Sequence, residues 1–136
     1  MVKKVLILLI ISAAVIAMSA PAFAEGRRTD VPSVIFLSPD DEAAIDLSGK
    51  SGITFKWKNA PIPAGGRESY RFKLIKGFKY DFIVSEVLPM GVFSIDVGAD
   101  KFEDGVTYSW YVEQKDASLN IWSRHDTVWS FKVIKK

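Results

Sequence analysis

The chain has 136 residues, with 18 Lys and Arg against 16 Asp and Glu, a single histidine and no cysteine. That length suits one domain with its own hydrophobic core. The lack of cysteine rules out a disulfide framework or a thiol nucleophile, and one histidine leaves little material for acid–base or metal chemistry.

Residues 1–24 have the pattern of a secretory signal. Lys3 and Lys4 form a basic start, residues 5–18 are almost unbroken apolar, and Ala22-Phe23-Ala24 supplies the small residues of a cleavage site. A membrane anchor would need about 20 apolar residues, whereas this run is shorter, carries Ser12 and ends at Pro21. The expected location is therefore exported, periplasmic or extracellular, with no membrane insertion after cleavage. Removing Lys3 and Lys4 leaves 16 residues of each charge. The basic balance belongs to the export segment, which argues against a nucleic-acid partner.

Residues 25–31 are polar and charged and read as a flexible tether. Residues 31–37 read as an edge strand because Pro32 cannot donate to a ladder. Ser38-Pro39-Asp40-Asp41 has turn chemistry, and residues 43–50 read as a loose segment. The cleanest alternation follows: Ile53, Phe55 and Trp57 inward, Thr54, Lys56 and Lys58 outward. Residues 59–68, with two prolines and two glycines, are a loop. Tyr70, Phe72 and Leu74 mark the next strand, Lys76-Gly77 a turn, and Tyr80, Phe82 and Val84 the inward positions of a fourth strand. After a break at residues 88–91, Phe93, Ile95 and Val97 alternate again.

Residues 102–114 open with the polar turn Glu103-Asp104-Gly105. They then alternate with Tyr108, Trp110 and Val112 on one face and Thr107, Ser109, Tyr111 and Glu113 on the other. That is a half-buried strand. Residues 115–126 read as a long loop, and Trp129, Phe131 and Val133 close the fold. No stretch keeps a helical period. About seven strands separated by turn signals predict an all-β sandwich or barrel.

These motifs resemble the fibronectin type III and wider immunoglobulin-like superfamily, in its bacterial exported form. Phe55-Lys-Trp57 is similar to its core tryptophan site. Phe102-Glu-Asp-Gly-Val-Thr-Tyr108 is similar to its tyrosine corner, with Phe102 for the usual leucine and Asp104 for the proline. Trp129-Ser-Phe-Lys-Val133 resembles its closing strand. The likeness spans residues 32–134. It implies a single seven-stranded antiparallel sandwich with Phe55, Trp57, Phe102, Tyr108, Trp110, Trp129 and Phe131 as structural residues. Trp110 stands where antibody-type domains keep a cysteine, which favours the fibronectin-like branch. There is no Arg-Gly-Asp triplet to carry over integrin binding.

Catalysis is not expected. His125 is the only histidine, and the serines lack a nucleophile-turn context. Asp96, Asp100, Glu103 and Asp104 could supply a hydrolytic carboxylate pair, but they also serve turn formation. Asp40-Asp41-Glu42 and Asp100, Glu103 and Asp104 are rich in oxygen yet match no calcium-loop spacing. No metal or cofactor is expected.

The residues that point to recognition are apolar ones in loops. On the family topology, Ile62, Leu88, Met90, Ile121 and Trp122 gather at one end beside Arg67, Arg124 and His125. Exposed aromatic residues beside arginine are what binding hot spots contain. The same residues could instead cap the open end of the core. Arg71, Ile83, Tyr111 and Val128 form a second candidate surface on the outward face of a sheet. The expected role is a non-catalytic binding or structural module that meets a protein or glycan at the cell envelope. The alternatives are a small metal-dependent or hydrolytic enzyme, or a protease inhibitor that presents residues 115–126.

Overall fold

The computed structural model describes residues 31–61, 68–116, 120–124 and 127–136. The signal-like segment 1–24 and the tether at 25–30 lie outside them, while Val31 is already buried. Residues from Val31 to Lys136 form one compact unit.

Among the described residues it holds nine strands: β1 (Ile35–Ser38), β2 (Ala43–Asp46), β3 (Gly52–Lys58), β4 (Glu68–Lys76), β5 (Phe82–Leu88), β6 (Ser94–Gly98), β7 (Thr107–Asp116), β8 (Ile121–Trp122) and β9 (Trp129–Ile134). The helical structure among the described residues is a single 3-10 turn at Ala99–Lys101. The strands form two sheets, β1-β3-β6 and β2-β9-β7-β4-β5, with β8 added to the end of β7.

The expectation of seven antiparallel strands is corrected in two ways. The segment at 43–50 is not loose, because Ala43–Asp46 pairs parallel with β9, Ala43 opposite Phe131 and Asp46 opposite Ile134. The loop at 115–126 is partly a hairpin, with Lys115 opposite Trp122 and Asp116 opposite Ile121.

The alternation read from the sequence explains the face-to-face packing. Ile53, Phe55 and Trp57 point from β3 into the interior. Phe55 meets one ring from each of three strands in the larger sheet: Phe72 at 5.0 Å, Trp110 at 5.2 Å and Phe131 at 5.7 Å between centroids. Phe36 stacks on Trp110 at 4.7 Å and meets Trp129 edge-on at 5.3 Å. Each such ring contributes about 1.5–3 kcal/mol by leaving water, and the tilted and edge-on geometries are those that aromatic quadrupoles favour.

The bend before β7 is held by Tyr108. Its hydroxyl oxygen accepts a hydrogen bond from the Glu103 backbone N–H at 2.8 Å. Its ring packs between Phe102 at 5.1 Å and Phe131 at 5.8 Å. Gly105 supplies the left-handed residue of this bend, with φ of 75°. Its N–H donates to the Val133 carbonyl at 2.8 Å, and the Lys135 N–H donates to Asp104 Oδ1 at 2.7 Å. The bend is thereby tied to the end of β9.

Candidate functional site: the outer face of the larger sheet

β7 was expected to be half-buried and is buried on both faces. Tyr108, Trp110 and Val112 fill the core, while the outward Ser109, Tyr111 and Glu113 are also shielded. Part of the cover comes from β4, whose outward residues pair across: Arg71 opposite Glu113, Lys73 opposite Tyr111 and Ile75 opposite Ser109. Arg71 Nε donates to Glu113 Oε1 at 2.9 Å, and that carboxylate is almost fully buried. A charge-assisted pair of this kind offsets the desolvation of the carboxylate.

The hairpin between β4 and β5 supplies further cover. Its base is fixed: the Gly77 N–H donates to the Thr107 carbonyl at 2.9 Å, the Gly77 carbonyl accepts from the Ser109 hydroxyl, and the Lys76 N–H donates to the Asp81 carbonyl at 2.9 Å. Gly77 has φ of 76°, so the chain turns here without a Cβ clash. Residues 77–81 are thus a turn, and β5 begins only at Phe82.

This corrects the inward assignment of Tyr80 and Phe82. Tyr80 is 90% exposed, Phe78 70% and Phe82 40%. The cause is a register shift between Leu74 and Ile75, which sets Phe82 opposite the outward Ile75 while Val84 stays opposite the inward Leu74. Phe93, also assigned inward, does pack its ring on the buried Tyr70 at 5.6 Å, but it precedes β6 and stays 40% exposed.

The result is a depression of about 400 Å³ walled by Phe78, Tyr80 and Phe82, floored by Ile75, Ser109 and Tyr111, and closed by Lys79 and Val128. The Tyr80 and Phe82 rings lie 6.2 Å apart, inclined at 49°. Lys73 Nζ stands 5.0 Å from the Phe82 ring centroid and donates to Ser85 Oγ. Burial, then the nearby Glu113 charge, raises the pKa of Tyr111, with Arg71 opposing. Further along the face, the Arg71 guanidinium lies 4.4 Å from the Trp122 ring and Lys115 Nζ 5.6 Å from it.

The loop-end residues fall into two groups. Leu88 is half-buried opposite Tyr70 at the end of β5, and Met90, 61% exposed, follows it. Ile121 and Trp122 are half-buried in β8, and Arg124 is exposed, its carbonyl accepting from Ser33 Oγ at 3.2 Å. β4 and β7 lie between the groups, which separates them by three strand spacings, about 14 Å. Ile62, Arg67 and His125 lie outside the described residues. Of the second candidate surface, Tyr111 and Val128 line this depression and Arg71 pairs with Glu113 on the same strand pair, while Ile83 is half-buried at the register shift of β5.

Phe55, Trp57, Phe102, Tyr108, Trp110 and Phe131 are buried in the core, and Trp129 packs against it. Four of the seven carboxylates considered for chemistry are engaged in structure. Asp96 accepts from the Thr54 hydroxyl, Asp41 from the Ser130 N–H, Asp104 from the Lys135 N–H, and Glu103 pairs with Lys76. Among the described residues, no group of three or more His, Asp or Glu is placed to hold a metal ion.

No protein-family model matches this chain, and no curated protein matches it. The exposed trio Phe78, Tyr80 and Phe82 escaped the sequence reading because Phe78-Lys79-Tyr80-Asp81-Phe82 alternates like a strand. Lys76-Gly77 marks the turn in the sequence, but nothing in the alternation shows that it runs on to Asp81.

Proposed function

We propose that this chain is a fibronectin type III-like, immunoglobulin-like sandwich, exported by residues 1–24, that works as a non-catalytic binding module at the cell envelope. The Tyr108 hydroxyl bond across the bend supports the family reading, as does the division into β1-β3-β6 and β5-β4-β7-β9. The parallel β2–β9 pair adds an extra strand at the edge of the larger sheet.

The contact surface is the outer face of the larger sheet, centred on the β4–β5 hairpin. One observation carries this: the most exposed aromatic rings among the described residues, Tyr80 and Phe78, stand on a turn whose base is hydrogen-bonded to the central strand β7. Aromatic rings, with two χ angles each, on a turn whose backbone is already fixed lose little conformational entropy when a partner covers them. The loop end offers Met90 as its most exposed apolar side chain among the described residues, and a flexible methionine anchors less specifically.

The experiment is capture of envelope material by the purified protein, comparing wild type with the Phe78→Ser, Tyr80→Ser double variant and with Met90→Ser. Loss of capture in the double variant, at an unchanged melting temperature, is the expected result. Capture that survives in the double variant but fails in Met90→Ser moves the site to the loop end and refutes the assignment.

A further inference from the structure

We propose that the partner of this face is a second copy of the chain, docked across a two-fold axis that passes beside Tyr80. This rests on the binding face proposed above and names its occupant. The exposed segment is Phe78-Lys79-Tyr80-Asp81-Phe82, which reads the same in both directions except that the two charges exchange sign. A two-fold contact sets residue i of one copy against residue j of the other, and j against i. With Tyr80 on the axis, Lys79 of each copy meets Asp81 of the other, and the phenylalanines lie at the outer ends.

The charges decide between a second copy and a different partner. Lys79 and Asp81 are both exposed. Among the described residues neither has an ion-pair partner, the pairs there being Arg71–Glu113 and Lys76–Glu103. A partner of one sign would match one of the two and repel the other, and an apolar partner would desolvate both. The same segment turned through 180° answers both charges at once.

The rings set the strength. Lys73 Nζ already lies over the Phe82 ring, so the rings open to a partner are Tyr80 and Phe78, 90% and 70% exposed. Together they present on the order of 300 Å² per copy. A standard interface takes about 800 Å² from each partner. The dimer is therefore a weak one that forms at high concentration, specified by the two Lys79–Asp81 contacts.

The test is sedimentation equilibrium of the purified protein from about 10 μM to about 1 mM, the range in which so small a contact associates. The average mass of the wild type should rise toward that of a dimer. Lys79→Glu and Asp81→Lys each set two like-charged pairs across the axis, and each should weaken association at least about tenfold. Mixed in equal amounts, the two single variants regain opposite charges at both contacts, so the mixture should associate within about threefold of wild type. The Lys79→Glu, Asp81→Lys double variant, with both signs exchanged, should do the same. All these side chains are exposed, so the melting temperatures should match.

A wild type that stays monomeric at the top of that range, single variants that associate like wild type, or a mixture as weak as its components would each overturn the two-fold dimer. If the protein stays monomeric while envelope capture still depends on Phe78 and Tyr80, this inference falls and the binding face stands. If the mixture is rescued while capture ignores those rings, the dimer stands and the capture reading falls. If neither result appears, both fall.

Discussion

Replacing Tyr108 with Phe isolates the bond that fixes the bend before β7. The ring stays, so its contacts with Phe102 at 5.1 Å and Phe131 at 5.8 Å are kept, and only the oxygen that accepts the Glu103 N–H at 2.8 Å is lost. A net hydrogen bond is worth about 0.5–1.5 kcal/mol, and a buried donor left without a partner costs about 1–3 kcal/mol. Tyr108 itself is 1% exposed, but Glu103 lies at the surface, so water can reach part of the orphaned N–H. The expected loss is therefore toward the lower figure, about 1 kcal/mol. For a domain of this size that lowers the melting temperature by about 4–8 °C. Urea unfolding followed by tryptophan fluorescence should show the midpoint falling with the slope unchanged, because the surface buried on folding is the same. A midpoint identical to wild type would refute the claim that the phenol holds the bend.

Two further outcomes are expected. Gly52→Ala should be far worse than Gly105→Ala although only Gly105 has a positive φ, at 75°. A Cβ on Gly52 would lie 2.2 Å from the Val97 carbonyl oxygen in the β3–β6 ladder, for a loss of about 3 kcal/mol or more. A Cβ on Gly105 meets nothing within 4 Å, so only the backbone cost of about 1–2 kcal/mol applies. Denaturation curves of the two variants decide the order. At alkaline pH, burial, then the charge of Glu68 and the hydrogen bond to it, raise Tyr70 from 10.0 to about 12. The unfolded chain releases that proton first, so stability should hold up to pH 10 and fall as pH rises toward 12. Phenolate absorbance that appears well before any loss of fold in wild type, and includes Tyr70 by comparison with Tyr70→Phe, would contradict this.

The interior was legible because its strands are long and half-buried in the sense that period-two reading assumes. β3 and β4 alternate cleanly, and their inward residues are the ones found in the core. The tyrosine bend was legible from a local cluster of turn residues followed by a strand. What escaped depends on distant partners. β2 has small side chains and no pattern of its own; it is a strand because β9 lies beside it. β8 is two residues long, too short for any periodicity. The outward side of β7 looked solvated because Ser109, Tyr111 and Glu113 are polar types. Their cover comes from Arg71 and the Gly77 turn, more than 30 residues earlier in the chain. The candidate face was only partly visible for the same reason. Arg71, Tyr111 and Val128 were singled out, while the exposed rings beside them imitated a buried strand.

The parallel clasp of β2 by β9 bears on when the chain can close. Asp41 and Glu42 bond to Ser130, Leu47 to Ile134, and Ser48 to Lys136, so the opening elements are locked by the closing ones. Until β9 emerges, β7 is paired with β4 on one side only along Thr107–Trp110, and β2 has nothing to pair with. Contacts between such distant residues form slowly. On the export reading, a polypeptide threaded through a translocation pore would stay pliable for most of its passage and snap shut only on the far side.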